Sequence, residues 1–199
     1  MHKSYKVYLM AFGAALIPAL SPSVASAHPC LGVCSPDSMA AGFAHPFGGL
    51  DHLLAMVAVG LWAVQLGGAA LWALPLAFMS ALVIGGGLAM FGVPFPLIEP
   101  GILGSVVVIG LAVALAWRVS LVAGIALVAA FALFHGYAHG LEMPENASAI
   151  SYAIGFVAAT GLLHAIGVGS GLVSPYLNQL LTRGMGAAIS VAGIGLFLL

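Results

Sequence analysis

Charge is what this sequence has least of. Four Lys and Arg and five Asp and Glu are spread over 199 residues, 5% of the chain, where a soluble domain carries roughly 25%. Nine charges cannot wet the surface of a water-soluble globule of this size, so a soluble fold is excluded first. Disorder is excluded as well, because it needs low hydrophobicity and high charge. The formal net charge of −1 supplies no basic field, so no nucleic-acid partner is expected. Neither a P-loop nor a His-Glu-x-x-His zinc-protease motif occurs. No catalytic residue is assigned, and the chain is not expected to be an enzyme. Apolar residues, by contrast, make up 63% of the chain, and the mean hydropathy is +1.20. The 27 Gly and 11 Pro are high for soluble helices but tolerated in membrane helices. An integral membrane protein remains.

Residues 1–27 have the layout of a secretory signal peptide. Lys3 and Lys6 form a positive head, Val7 to Leu20 an apolar run, and Ala25-Ser26-Ala27 a small-residue cleavage site. The interruption at Pro18 and Ser21-Pro22-Ser23 stops the run short of the ~20 residues a spanning helix needs. Cleavage would start the mature chain at His28, outside the cytoplasm. Residues 28–47 would form a short periplasmic segment and 48–199 the membrane domain. Cys30 and Cys34, the two cysteines, lie in that exported segment. They have three readings: a small disulfide in an oxidising compartment, external metal capture together with His28, or idle thiols.

Six apolar stretches follow, at 48–66, 69–91, 97–117, 119–138, 148–169 and 183–199, each close to a bilayer-spanning length. Punctuation separates them at Gly67-Gly68, Gly92 to Pro96, Trp117-Arg118, Met143-Pro144 and Ser174-Pro175. The runs are apolar on every face, whereas a β-barrel would alternate. The expected fold is therefore all-α, a bundle of six transmembrane helices after a cleaved signal peptide, in the bacterial cytoplasmic membrane with the mature N-terminus outside. On that topology Arg118 and Arg183 fall on the cytoplasmic side, in agreement with the positive-inside rule.

An ionisable group in a membrane helix costs roughly 2.5 kcal/mol or more and marks function by default. Here such groups gather in two motifs and one isolated residue. His45-Pro46-Phe47-Gly48-Gly49-Leu50-Asp51-His52 opens the first span, Phe134-His135-Gly136-Tyr137-Ala138-His139-Gly140-Leu141-Glu142 closes the fourth, and Glu99 begins the third between Pro96 and Pro100. The topology brings His45, Asp51, His52, Glu99, His135, His139 and Glu142 to one membrane face. His135, His139 and Glu142 have the spacing of a single helical stripe if the helix persists past Gly140. Asp51 is either a ligand or a partner that orients an imidazole. Imidazole and carboxylate together suit first-row divalent metals. His164 lies deeper, in the fifth span, and reads either as a second stop on a permeation path or as a core histidine. Gly136 and Gly140 offer a small-residue face for close helix approach.

His45-x5-Asp51-His52, Phe134-His135-Gly136-Tyr137-Ala138-His139-Gly140-x-Glu142, and His164 within Leu163-His164-Ala165-Ile166-Gly167 resemble the HupE/UreJ family over essentially the whole mature chain. The resemblance implies a small six-span bacterial protein made with a cleaved signal peptide. It also implies a secondary permease for nickel(II), sometimes cobalt(II), serving hydrogenase or urease maturation. The positions that match the family's functional residues are His45, Asp51, His52, Glu99, His135, His139 and Glu142. No permanently bound cofactor is expected, since the metal ion is cargo. The expected partners are that ion and the lipid bilayer, with a homo-oligomer left open. Two other readings compete: a haem-binding membrane electron carrier, with haem between the first and fourth spans, and a non-transporting metal sensor or assembly factor.

Overall fold

A computed structural model describes residues 38–144, 147–173 and 178–198. The expected leader and the group of His28, Cys30 and Cys34 lie outside these. All regular structure among the described residues is helical. In chain order it comprises α1 (Ser38–Ala44), a 3-10 turn (His45–Phe47), α2 (Leu50–Leu66), α3 (Ala70–Met90), α4 (Ile98–Ala114), α5 (Leu121–Leu141), α6 (Ala149–Leu172) and α7 (Asn178–Phe197).

Three helices, α3, α5 and α6, and the stretch Gln179–Phe197 of α7 are each long and apolar enough to cross a membrane. A fifth candidate arises if Ser38–Phe47 and α2, which meet at 81°, count as one broken span. α4 has 17 residues, about 25 Å of helix, short of a hydrocarbon core of roughly 30 Å. Side chains such as Val122, Ile150, Leu180 and Val191 are more than two-thirds exposed on the outside of the bundle. Surfaces of this kind suit lipid rather than water, and the chain is a multi-helix membrane protein.

Two boundaries differ from the sequence reading. The stretch before the first motif contains a helix that the apolar runs did not mark, α1, which packs against α6. The α-helix then stops at Ala44, one residue before His45-Pro46, where the proline ring disfavours α geometry in its predecessor. Pro46 itself sits at the start of the 3-10 turn, where its missing N–H costs nothing. At the other end, the last helix begins at Asn178 rather than at 183. Arg183 is therefore inside it, and its Nε donates to the Ala114 carbonyl at 2.8 Å. A cation there complements the C-terminal end of α4.

α2 is the central element, with ten of its seventeen residues buried, including Met56, Leu61 and Trp62. Lipid is as apolar as leucine, so close contact rather than the hydrophobic effect holds such helices together. Glycine provides that contact here. A Cβ at Gly136 would strike the Leu82 backbone of α3, and one at Gly140 would meet Gly86 and Ala89. The small-residue face read from the sequence is therefore the seam between α5 and α3. Gly60 and Gly167 do the same between α2 and α6. These seams bring the head of α2, the tail of α5 and the head of α6 to one end of the bundle.

Candidate metal centre

His52 lies in the first turn of α2 and is nearly buried, at 8% exposed. The backbone turns into α2 at Gly49, where any side chain would collide with the Asp51 carboxylate and the His52 ring. Asp51 Oδ1 accepts from the backbone N–H of His52 at 2.9 Å, at a helix N-terminus that favours negative charge. His135 and His139 are one turn apart on α5 and are both fully or nearly buried. The helix does persist past Gly140, to Leu141, and Glu142 caps it. His45, in the 3-10 turn, reaches across to this cap. Its Nε2–H donates to Glu142 Oε2 at 2.9 Å.

These five residues form two three-ligand groups in which one donor atom from each residue lies within 4.8 Å of the others. One is His45, His139 and Glu142; the other is His52, His135 and His139. His139 belongs to both. Its ring lies 4.1 Å from that of His52 and 4.7 Å from that of His45. Its Nδ1 is 3.3 Å from Glu142 Oε2, a close contact outside hydrogen-bond alignment. The neighbouring His139 first, and then His45, hold the Glu142 carboxyl well below the usual carboxylate range, so it is anionic when it meets a cation.

The buried group has a defined proton order. The Ser105 hydroxyl on α4 donates to the Ile102 carbonyl at 2.6 Å. Having spent its one proton, it accepts from His135 Nε2–H at 2.7 Å. His135 Nδ1 is then a lone pair, and it lies 2.8 Å from His52 Nδ1, which must carry the proton between them. Two metal–imidazole bonds of about 2.0–2.1 Å at right angles place their nitrogens about 3 Å apart. A divalent ion could therefore replace that shared proton with little movement, and binding would release it. Two nitrogens side by side at this distance leave no room for a macrocycle between them, so a haem held by His52 and His135 does not fit.

The remaining expected ligands are placed elsewhere. The Asp51 carboxylate is engaged with its own helix turn and belongs to neither group. Glu99 is exposed in the first turn of α4, just after Leu97 in the left-handed conformation, and joins neither group. His164 is buried within α6, its ring 5.1 Å from that of Phe78. Sequence reasoning missed two contributors. Ser105 was readable as a polar residue inside an apolar span, though nothing in its spacing tied it to His135. Phe156, whose ring is 4.3 Å from that of His139, carried no signal that distinguished it from packing.

Comparison with known proteins agrees with the motifs. A family model described as "HupE / UreJ protein" matches residues 15–196. Protein HupE of Rhizobium leguminosarum bv. viciae is 42% identical over 176 residues, covering 88% of this chain and 91% of that protein. No solved structure matches. The chain belongs to the HupE/UreJ family.

Proposed function

We propose that this member of the HupE/UreJ family is a permease that takes up nickel(II), with cobalt(II) accepted by the same ligands, for metalloenzyme maturation. The observation that carries the reading is the pair of ligand groups sharing His139, one half-exposed and one buried. Glu142 and His45 meet the hydrated ion at the periplasmic face. Rotation of the coordination onto His52 and His135 draws it inside while His139 stays bound. The donor set is imidazole and carboxylate, borderline ligands that suit nickel and cobalt alike. They bind well enough to admit an ion and weakly enough to let it go.

On this reading α2 with its preceding bent segment and α3 to α7 make six crossings, the thin α4 included, after removal of the leader. The ligand end then faces outward, and Arg118 and Arg183 lie on the cytoplasmic side. A potential negative inside favours inward movement of a divalent cation by about 4.6 kcal/mol per 100 mV, and no nucleotide site is required. Asp51 acts beside the ligands by fixing the turn that carries His52.

The test is uptake of radioactive nickel into proteoliposomes with an inside-negative potential, comparing the parent with His52→Ala. Time-dependent accumulation in the parent and its loss in the variant are expected. Saturable binding without accumulation in the parent would remove the stand-alone permease and leave a metal sensor.

A further inference from the structure

The two ligand groups do not account for every buried polar atom. Among the described residues, the buried side-chain atoms without a hydrogen-bond partner are Gln65 Oε1, both ring nitrogens of His139, the Tyr152 and Thr160 hydroxyls, and both ring nitrogens of His164. His139 belongs to the ligand groups, and the Tyr152 ring lies 5.8 Å from that of His45. Thr160 and His164 belong to neither group.

Their placement is orderly. Tyr152, Phe156, Thr160 and His164 follow one another at intervals of four on α6, so they form a single stripe that winds slowly down the helix. All four are buried. The stripe starts at the ligand groups, where Phe156 packs on both His45 and His139. It runs to His164, about 22 Å along the axis from the head of α6. His135 lies only about 9 Å from the tail of α5. Phe78 of α3 bridges the interval, its ring 5.7 Å from that of His135 and 5.1 Å from that of His164.

Burying an imidazole with neither nitrogen satisfied is costly, and a leucine would fill the same space without that cost. We infer that His164, with the Thr160 hydroxyl one turn away, is a second station for the divalent cation, deeper in the bundle and separated from the first by the Phe78 ring. The inference rests on the transport reading of the first station. One imidazole and one hydroxyl, with retained water completing the shell, make a weak site. A site from which an ion must move on is required to be weak.

The test uses the full chain in proteoliposomes with an inside-negative potential and nickel(II). His164→Leu should be at least as thermally stable as the parent, because an unsatisfied polar group is gone. It should retain the parent's tight nickel binding in equilibrium dialysis yet lose about tenfold or more of its uptake. His164→Cys, which restores a donor atom, should recover part of that loss, a ranking that a packing role would not produce. His164→Phe, nearer in shape and without a donor atom, is read in the same way if the leucine variant fails to fold. Uptake at the parent's rate in either ligand-deficient variant overturns the second station. If the parent itself accumulates no nickel, the transport reading falls, and the station is judged by stoichiometry at millimolar nickel. One more ion per parent chain than per variant chain supports it; equal numbers overturn it.

Discussion

His45 and Glu142 hold their end of the ligand cluster where water still reaches, with side chains 29% and 51% exposed. His52 and His135, a few ångströms further in, are nearly or wholly buried. The outer pair contains an anion and the inner pair is neutral imidazole backed by a serine. On the proposed transport reading, a hydrated divalent ion arriving from solvent is attracted by charge, at a place where the charge is not costly to keep. On that reading, once the ion has shed water, neutral donors would hold it in a setting where an unpaired carboxylate would be expensive. Each half has the chemistry its surroundings permit, and His139 belongs to both, so on that reading an ion passing between them would keep a protein ligand.

Removing the shared ligand should have the largest effect. Loss of a group that merely orients a metal ligand costs roughly 10–100-fold in affinity, and His139→Ala removes a ligand from both halves at once. Nickel uptake should fall to the level of empty vesicles, and equilibrium binding should weaken by more than that range. Residual binding close to the parent's would break the comparison, because the two halves would then be independent sites.

Acidification separates the halves differently. Protons compete with metal for imidazole nitrogen, so uptake should fall by roughly tenfold or more between pH 7.5 and pH 5. Glu142 does not contribute to that loss. Its carboxyl is held well below the usual range by His139 and His45, so it stays charged throughout the interval. A lowered folded-state value contributes stability above the ordinary carboxylate range of about 4.3 and loses it as pH falls further. The stability change therefore lies on the acid side of the uptake change. Uptake measured at stepped external pH, alongside thermal melts, resolves the two windows. Uptake that holds steady down to pH 5 would rule out imidazole ligation.

The ligand end was more legible in the sequence than the bundle around it. A histidine in an apolar span is expensive, so His52, His135 and His139 stood out without any knowledge of packing, and helical spacing alone predicted that His135 and His139 share a stripe. Helix ends were less legible. The extra helix Ser38–Ala44 and the early start at Asn178 depend on tertiary contacts with α6 and α4, which leave little mark on local composition. Asp51 and Glu99 show the limit of counting charges, because the topology places a residue at one end of a bundle but does not aim its side chain. Asp51 turned back onto its own helix turn.

Ser105 offers the smallest and sharpest effect, because it touches no solvent and only one member of the inner half. Its hydroxyl forces the Nε2–H form of His135 and so aims an Nδ1 lone pair at His52. Ser105→Ala leaves that N–H buried and unpaired, a cost of about 1–3 kcal/mol, which His135 can relieve by turning or by moving its proton to Nδ1. Either response spoils the inner half and leaves His45 and Glu142 as they were. Nickel should still be captured, with uptake reduced by about tenfold, the lower end of what an orienting partner contributes. The maximal rate should carry the loss rather than the half-saturating concentration. Nitrogen-15 shifts of the His135 ring report the tautomer directly. An unchanged Nε2–H form in Ser105→Ala would show that His52, and not the serine, sets the proton order, and would move the control of the inner half from α4 to α2.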